Sequence, residues 1–338
     1  MKAFVLAAGA GTRLRPLTSD IPKPMVPIVG KPALQHTLEN LKKYGFKDVC
    51  VNLYHCPGVI VDYFKDNDTG LNIKYSLEEK LLGTAGAIKK QENFFDETFV
   101  VMSGDGLTDI NLKKALEFHK KKKSIATIVL KEIDARFEYG ITLTDKNGKI
   151  KSFVEKPRWK DIFADTVNTG IYIFEPEIFK YIPKDKFFDF SMDLFPLFLK
   201  NKKNIYGYVM KEYWTDIGNI LEYKKGVFDA LDGNVNVNIS SSADKKLFGK
   251  NVKINSPCFI GKNVRIGNNV VIHPYSVITE NCEIGDNAVI EKTIIWSGSK
   301  IGKNVRLSNT IVGYDSTIPG GIVLFDSIIM GRENFNGK

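Results

Sequence analysis

The sequence has little of what marks several large classes of protein. Its 338 residues include four cysteines and no CxxC pair, which excludes a zinc-finger signature and a disulfide framework. No unbroken apolar run approaches the roughly 18 residues of a membrane-spanning helix. The apolar run at residues 2–8 is too short for the core of a signal peptide, so we expect a cytoplasmic protein.

Composition and charge narrow the classes further. Hydrophobic residues make up 43% of the chain, which excludes a disordered protein, and the net charge is +9. The longest basic cluster, residues 119–123, ends a predicted helix that starts at Asn111, where lysines complement the helix dipole. Because no basic stripe is interleaved with aromatic residues, we expect small anionic substrates and neither a nucleic-acid nor a membrane partner.

The pattern of apolar runs predicts an α/β domain over residues 1–232. Strand-like runs alternate with helical patterns, which is typical of a Rossmann-like, mixed and mostly parallel sheet. A helix is predicted over residues 32–44, and residues 233–250 have the composition of a connector. The predicted strands are 3–8, 49–53, 99–103, 125–130 and 171–174.

The C-terminal third has a repeat of six residues. Large apolar residues recur as Ile254, Ile260, Ile266, Ile272, Ile278, Ile284, Ile290 and Trp296. Glycines that directly follow three of them, Gly261, Gly267 and Gly285, suggest turns, and the register is expected to slip near Ile301. A repeat this regular predicts a parallel β-helix, with a β-sandwich as the alternative. It resembles the left-handed β-helix of hexapeptide-repeat proteins, which implies about four and a half coils over residues 251–333.

A small-residue turn follows the first strand and is rich in positive charge. The string GAGTRLRPLT begins at Gly9, and PKPMVP follows at Pro22. Small residues let the backbone approach a ligand, and exposed amides in such a turn can bind phosphate. The turn matches neither the P-loop pattern nor GxGxxG, which disfavours a kinase, an ATPase or a dinucleotide oxidoreductase.

The whole set of motifs resembles the sugar-1-phosphate nucleotidylyltransferases. Beside the turn, the matching stretches are LLGTAGA (81–87), SGDGLTDI (103–110), EYG (138–140), VEKP (154–157), NTGIYIF (168–174) and WTDIGN (214–219). The resemblance covers essentially the whole chain, since a left-handed β-helix often follows the catalytic domain in that family. Within the family, the chain looks most like bacterial mannose-1-phosphate guanylyltransferases.

The resemblance implies a reaction and a set of catalytic residues. A sugar 1-phosphate attacks the α-phosphorus of a nucleoside triphosphate, so charge neutralisation and in-line positioning carry the catalysis. Arg13 is implied to grip the triphosphate, Lys23 to neutralise phosphate charge and Lys156 to hold the sugar phosphate. Asp105 and Asp216 are implied to bind Mg²⁺, which needs few carboxylates when substrate phosphates complete its coordination.

The resemblance also implies two binding sets. The nucleotide-binding set is Leu6, Ala8, Gly9, Gly11, Thr12, Arg13, Lys23, Glu78, Glu79, Gly83, Thr84 and Asp105. The sugar-phosphate-binding set is Gly140, Glu155, Lys156, Asn168 and Thr169.

The choice of base rests on Glu78 and Glu79, because pyrimidine-using relatives place a Gln near this position. A carboxylate only accepts hydrogen bonds and would complement the adjacent N–H donors of guanine. The sequence leaves open which of the two glutamates faces the base. The carboxylates therefore favour GTP, and the resemblance implies mannose 1-phosphate as the second substrate.

Other functions remain open at this point. Within the family, the alternative is a thymidylyl-, uridylyl- or adenylyltransferase that acts on glucose 1-phosphate. Outside it, the alternatives are a non-catalytic regulatory subunit and an acyltransferase built on the repeats, where His273 is the only histidine. We expect a homo-oligomer that assembles through the β-helix.

Overall fold

The computed structural model describes residues 1–132, 141–154, 166–239 and 241–331. The chain divides into two compact units. Unit 1 comprises Met1–Gly11, Asp20–Met25 and Ala33–Ile217, and unit 2 comprises Thr12–Ser19, Val26–Pro32 and Gly218–Lys338. The chain therefore passes between the units several times before residue 33.

Short strands and helices alternate over the first 232 residues. In the described part of this region the helices are α1 (Ala33–Lys43), α2 (Pro57–Asp66), α3 (Gly83–Lys89), α4 (Leu112–Lys122), α5 (Phe195–Lys200) and α6 (Ile220–Leu231). The strands are β1 (Lys2–Leu6), β2 (Pro27–Ile28), β3 (Lys31–Pro32), β4 (Asp48–Leu53), β5 (Asn72–Leu77), β6 (Phe99–Ser103), β7 (Gly106–Thr108), β8 (Ala126–Glu132), β9 (Ile141–Thr144), β10 (Ile150–Val154), β11 (Thr166–Phe174), β12 (Ile205–Met210) and β13 (Trp214–Asp216).

The main sheet of unit 1 is mixed and mostly parallel, as predicted. Its order is β10-β9-β11-β6-β1-β4-β5, and β8 pairs with both β11 and β12. β1 is parallel to β4 and β6, and β4 is parallel to β5, while β11 runs antiparallel to β6, β8 and β9. The carboxyl ends of β6, β1, β4 and β5 thus lie along one edge, where such sheets bind ligands.

Alternating side chains of the central strands enter two separate cores. Ala3 and Val5 of β1 pack in one cluster with Leu34 and Leu38 of α1, whereas Phe4 packs in the other with aromatic residues such as Phe174. Because both faces are covered, the strand reads as a continuous apolar run rather than as an alternating one.

Helix α4 confirms the helix predicted from Asn111. The Asn111 side chain accepts a hydrogen bond from the Lys114 amide at 3.1 Å and so caps the first turn. His119, Lys120, Lys121 and Lys122 occupy the last turn, where positive charge meets the exposed carbonyl groups. None of the helices in the described ranges has the length and apolar character needed to cross a membrane.

The C-terminal region forms the predicted parallel β-helix from very short strands. These are β14 (Lys253–Ile254), β15 (Cys258–Ile260), β16 (Arg265–Ile266), β17 (Val271–Ile272), β18 (Ser276–Ile278), β19 (Glu283–Ile284), β20 (Val289–Glu291), β21 (Ile294–Ile295), β22 (Lys300–Ile301), β23 (Arg306–Ser308), β24 (Ile311–Val312), β25 (Thr317–Ile318), β26 (Val323–Phe325) and β27 (Ile328–Ile329). They stack in three parallel sheets, β14-β17-β20-β23-β26, β15-β18-β21-β24-β27 and β16-β19-β22-β25. Isoleucines of successive coils fill the interior from Ile260 onward, as expected, whereas Ile254 of the first coil is exposed.

The turns of the β-helix use asparagine where glycine was expected. Asn263, Asn269 and Asn287 have φ of 58°, 57° and 59°, in the left-handed region that asparagine tolerates. Gly261, Gly267 and Gly285 are needed for another reason. A Cβ atom on Gly261 would lie 2.8 Å from the Glu280 nitrogen of the next coil, and the other two are equally crowded. These glycines stand directly before the turn residues and also permit close stacking of the coils.

The register slips earlier than the sequence suggested. Val271 pairs with Val289, eighteen residues on, but Val277 pairs with Ile294, only seventeen residues on. The shortened turn lies between β20 and β21 at Lys292, ahead of the expected slip near Ile301. As a result Ile295, and not Trp296, takes the interior position opposite Ile278.

Trp296 faces helix α6 instead. Its Nε1 donates a hydrogen bond to the hydroxyl of Tyr223 at 2.9 Å, and that hydroxyl donates to the carbonyl of Pro27 at 2.9 Å. Trp296 and Tyr223 are both fully buried. This chain of hydrogen bonds fixes the segment Val26–Pro32, the helix α6 and the β-helix within unit 2.

Candidate functional site

A small second sheet brings two aspartates together at the edge of the main sheet. Asp105 follows β6 directly in the turn that leads into β7. Strand β7 pairs antiparallel with β13, which places Asp216 opposite Gly106, next to Asp105. Two carboxylates that are 111 positions apart in the sequence therefore become neighbours.

Lys23 lies between these two carboxylates. Its Nζ atom is 2.6 Å from Oδ2 of Asp105 and 3.0 Å from Oδ1 of Asp216, and the lysine side chain is only 9% exposed. The short 3-10 helix Lys23–Met25 carries it to this position. Such a buried ammonium group needs paired carboxylates, because burial without a partner would cost several kcal/mol.

The electrostatics keep both Asp105 and Lys23 charged. Burial by itself would raise the pKa of Asp105, but the Lys23 charge and the hydrogen bonds from Lys23 and Ser103 outweigh burial and hold that pKa below its usual value. Burial would lower the pKa of Lys23, but the charges of Asp105 and Asp216 raise it overall. Two carboxylates and one ammonium group give the cluster one net negative charge, on oxygen atoms that converge on one point.

Two convergent carboxylates are a donor set that suits a hard divalent cation. Mg²⁺ is usually held by one or two carboxylates, with water and substrate phosphates supplying the other ligands. Among the residues that the structure describes, no group of three or more His, Cys, Asp or Glu side chains could enclose a metal. Asp105 and Asp216 thus fit a cation shared with a phosphorylated substrate better than a closed protein site.

The small-residue turn starts at the same edge. The Leu6 carbonyl accepts a hydrogen bond from the Gly104 amide at 2.9 Å, which ties the end of β1 to the segment before Asp105. Ala8 is buried, Gly9 is exposed, and Gly11 has φ of 61°, a conformation that favours glycine. Thr12 and Arg13 belong to unit 2, where they lie on the 3-10 helix Thr12–Leu14 and Arg13 is exposed.

The start of helix α3, with Gly83 and Thr84, is fastened to the segment 188–190. The amides of Ala85 and Gly86 both donate to the Phe188 carbonyl at 2.9 Å. A Cβ atom on Gly83 would lie 2.6 Å from the same carbonyl oxygen, which explains the glycine. The hydroxyl of Thr84 donates to Asp189 and accepts from the Phe190 amide, so this side chain shapes the loop.

The two glutamates before this loop differ in burial. Glu79 is exposed, whereas Glu78 is 4% exposed and both of its carboxylate oxygens accept hydrogen bonds from the protein. Oε1 accepts from Nδ2 of Asn52 at 2.7 Å, and Oε2 accepts from the Leu82 amide at 2.9 Å. Oδ1 of Asn52 in turn accepts from the Ala7 amide at 2.7 Å.

Asn52 was missed by the sequence reasoning. It lies near the end of a strand without any motif around it, and its partners lie 45 and 26 positions away. A polar residue inside the apolar run 49–53 is the signal that could have revealed it.

Two of the predicted sugar-side residues, Asn168 and Thr169, lie on β11, beside the strand that leads to Asp105. Nδ2 of Asn168 donates to the Tyr172 hydroxyl at 2.9 Å, and its Oδ1 accepts from the Gly170 amide at 3.0 Å. Thr169 is buried, and its hydroxyl donates to the Val129 carbonyl at 2.8 Å. Gly140, Glu155 and Lys156 lie outside the described residues.

Comparison with known proteins identifies the family. Residues 2–232 match the family described as Nucleotidyl transferase, and residues 235–336 match the GMPPB C-terminal domain. The chain therefore belongs to the nucleotidyl transferase family, which confirms its resemblance to the sugar-1-phosphate nucleotidyltransferases.

Two relatives match nearly the whole chain, and one solved structure matches two thirds of it. A UTP–glucose-1-phosphate uridylyltransferase of Synechocystis sp. is 37% identical, over 92% of this chain and 87% of its own length. A mannose-1-phosphate guanyltransferase of Pichia angusta is 33% identical, over 98% of this chain and 92% of its own length. The crystal structure of HddC from Yersinia pseudotuberculosis complexed with GMP-PN is 33% identical with a TM-score of 0.59, and the match covers 67% of this chain and 97% of that one.

Proposed function

We propose that the chain transfers GMP from GTP to mannose 1-phosphate, forming GDP-mannose and pyrophosphate. The proposed phosphate chemistry is supported chiefly by the position of Lys23 between Asp105 and Asp216 at the edge of the sheet. The match of residues 235–336 to the GMPPB C-terminal domain and the Pichia angusta relative support the choice of substrates.

In the proposed reaction, an oxygen of the sugar phosphate attacks the α-phosphorus of the triphosphate. The bond between that phosphorus and the oxygen that bridges to the β-phosphate breaks, and pyrophosphate leaves. Both reactants are anions, so the main task of the protein is to neutralise and align them. Lys23 is suited to this task because the charges of Asp105 and Asp216 outweigh the effect of burial and hold the pKa of its ammonium group above the ordinary value.

We also propose Mg²⁺ as the cofactor, held by Asp105 and Asp216. When bound, it would neutralise phosphate charge and orient the triphosphate. Lys23 can exchange its carboxylate partners for substrate phosphate oxygens, since a lysine ammonium is a mobile point charge on a flexible stem. Ser103, which donates a hydrogen bond to Asp105, would keep that carboxylate oriented.

The proposal for the base concerns Glu79. Both oxygens of Glu78 already accept hydrogen bonds within the protein, whereas the Glu79 side chain is exposed. We infer that Glu79 is the carboxylate that accepts from the N1–H and N2–H₂ groups of guanine. A site built on a matched hydrogen bond rejects a base that leaves the acceptor unpaired.

Pyrophosphate release tests this proposal across GTP, UTP, dTTP and ATP, each with mannose 1-phosphate and with glucose 1-phosphate. GTP with mannose 1-phosphate should give a kcat/KM at least about tenfold above the UTP reactions, equivalent to about 1.4 kcal/mol. Reactions without the sugar phosphate serve as the blank. A preference for UTP and glucose 1-phosphate would instead support the second candidate, a uridylyltransferase, which the 37% identity to the Synechocystis enzyme favours.

A single substitution refines the test of base choice. Glu79→Gln should reduce the preference for GTP over UTP by about threefold to tenfold, because an amide presents a donor where guanine also presents one. Glu97→Gln, at another exposed glutamate, is the matched control and should leave the preference unchanged. An unchanged preference in Glu79→Gln would remove Glu79 from the base site.

A further inference from the structure

The side chain of Asp189 makes hydrogen bonds to two separate parts of unit 1. Its Oδ2 accepts from the Thr84 hydroxyl at 2.9 Å. Its Oδ1 accepts from the amides of Ser191 and Met192 at 2.8 and 3.1 Å. One carboxylate therefore holds the first turn of α3 and, at the same time, the backbone that directly follows residue 189.

The backbone after Asp189 forms an unusual helical turn. Phe190–Leu194 is a single π-helical turn. Phe190 is fully buried, and its ring packs against that of Tyr172 on β11, with 4.9 Å between the ring centroids. Such turns are rare and occur frequently at functional sites. We call residues 188–194 the bridging segment.

One side of the bridging segment is bonded to the predicted nucleotide site. Gly83 and Thr84, which begin α3, both belong to the predicted nucleotide-binding set. The Thr84 hydroxyl donates to Asp189 and accepts from the Phe190 amide at 2.8 Å, so this side chain makes two hydrogen bonds to the bridging segment. A ligand that orders the start of α3 therefore also orders the bridging segment.

The other side of the bridging segment lies against the predicted sugar-phosphate site. Nδ2 of Asn168, on β11, donates a long hydrogen bond of 3.5 Å to the Ser191 hydroxyl. The amide of the same serine donates to Asp189. Asp189 is thus one hydrogen bond away from Thr84 and two hydrogen bonds away from Asn168. A single side chain connects the two predicted substrate sites.

We propose that Asp189 is a positioning residue that couples the two substrate sites, so that the bound nucleotide strengthens the binding of the sugar phosphate. This inference rests on the proposed function. A triphosphate that contacts the start of α3 restricts Thr84, and through Asp189 it restricts the Ser191 backbone beside Asn168. The sugar phosphate then enters a site that is already ordered, so its binding costs less conformational entropy. By linkage, the sugar phosphate strengthens nucleotide binding by the same factor.

The coupling is measured as the ratio of two dissociation constants. The Kd of mannose 1-phosphate is determined at saturating Mg²⁺, first alone and then with a saturating GTP analogue in which a methylene group replaces the oxygen between the α- and β-phosphates. This analogue cannot release pyrophosphate, so both ligands stay intact. In the natural protein the analogue should lower the Kd of mannose 1-phosphate by at least about fivefold. A ratio near one would overturn the proposal.

Two variants break the connection from opposite ends. Asp189→Ser keeps one side-chain oxygen, which can still cap the turn, but leaves none for Thr84. Thr84→Val keeps the shape of the side chain and removes its hydroxyl. Each variant should reduce the ratio to below about twofold, and the double variant should lose no more, because both changes remove the same link. Since the analogue is saturating throughout, any direct contact between Thr84 and the nucleotide drops out of the ratio.

The matched control is a second capping aspartate. Asp244 is exposed and accepts a hydrogen bond from the Lys246 amide at 3.0 Å, at the start of another short turn. Asp244→Ser should keep the natural ratio. A natural ratio in Asp189→Ser would overturn the proposal, and so would an equal loss in Asp244→Ser.

Hydrogen exchange gives a readout that needs neither turnover nor the sugar phosphate. The GTP analogue alone should slow exchange at the Ser191 and Met192 amides of the natural protein by at least about threefold, and it should have no such effect in Thr84→Val. Unchanged exchange in the natural protein overturns the proposal even if neither variant folds.

The same experiment separates this inference from the proposed function. The ratio is also measured with the corresponding UTP analogue and glucose 1-phosphate. If only this second pair binds, the assignment of GTP and mannose 1-phosphate fails, and a loss of its coupling in Asp189→Ser still supports the role of Asp189. If the natural protein binds no nucleotide, both the proposed function and this inference fail.

Discussion

The edge of the sheet in unit 1 and the β-helix in unit 2 hold their polar side chains by opposite means. At the edge, partners come from distant parts of the sequence, such as Lys23 and Asp216, which are 193 positions apart. In the β-helix, Asn251, Asn269, Asn287 and Asn304 form a ladder at spacings of 18, 18 and 17. The edge groups are largely buried and each is unique, whereas the ladder is exposed and repeated, so single substitutions should act very differently in the two regions.

The largest effect is expected at the edge, from Asp105→Asn. The amide loses one of the two carboxylate charges that pair with Lys23 and that would hold a cation, and Asp216 alone keeps only half of that donor set. Turnover should fall by at least about 10³-fold, measured as pyrophosphate release at saturating Mg²⁺.

The matched control, Asp109, lies directly after β7, at the other end of that strand from Asp105. Asp109 accepts a hydrogen bond from the Tyr213 amide at 2.9 Å, and an asparagine can accept the same bond. Asp109→Asn should therefore keep turnover within about threefold. Near-natural turnover in Asp105→Asn, or an equal loss in both variants, would contradict the special role of Asp105.

A smaller effect, on stability rather than turnover, is expected beside Trp296, where the six-residue repeat of the β-helix is interrupted. Tyr223→Phe removes the hydroxyl that serves both Trp296 and Pro27, and leaves two buried polar groups without their partner. The free energy of unfolding should fall by about 2–3 kcal/mol in urea titrations.

A second tyrosine of unit 2 provides the comparison. The hydroxyl of Tyr275 makes a long, exposed hydrogen bond of 3.4 Å to Asp232. Tyr275→Phe should change the free energy of unfolding by less than about 0.5 kcal/mol. Equal losses in the two variants would show that burial of the Tyr223 hydroxyl does not matter.

The smallest effect is expected in the ladder itself. Asn269 has φ of 57°, in the left-handed region that asparagine tolerates through its short polar side chain. Asn269→Ala removes that side chain and should cost about 1 kcal/mol of unfolding free energy. Asn269→Gly removes the same side-chain hydrogen bonds, but glycine adopts this φ without strain, so the variant should cost only a few tenths. Equal losses in the two variants would mean that the ladder hydrogen bonds, rather than the backbone conformation, stabilise the turn.

The same contrast explains what could be predicted from the sequence. The period of six determines which residues lie inside the β-helix, so the coils could be predicted before any contact was known. The predicted register was wrong only at residues 294–296. Because Ile294, Ile295 and Trp296 are all apolar, the period of six does not show which of them lies inside the β-helix. The close approach of the next coil to the glycines after the isoleucines could not be predicted, because coil stacking leaves no local signal in the sequence.

The candidate site was predictable only in part. Asp105, Asp216 and Lys23 were selected because they stand in motifs shared with a family, and the small sheet of β7 and β13 brings them together. The same motifs could not distinguish Glu78 from Glu79, since the difference arises from Asn52, on a strand 26 positions earlier. Interactions between unique residues far apart in the sequence become visible only in the fold.

The interleaving of the two units also has a consequence for the order in which the chain is made. The Pro27 carbonyl receives its hydrogen bond from Tyr223, which is synthesised 196 residues later. At typical ribosomal rates this delay is about 10–40 s. During that time the segment Val26–Pro32 lacks its contacts with α6. We therefore expect a protease to cut nascent chains in this segment until α6 has left the ribosome. Protection of chains arrested before residue 220 would mean that other contacts hold this stretch in place earlier.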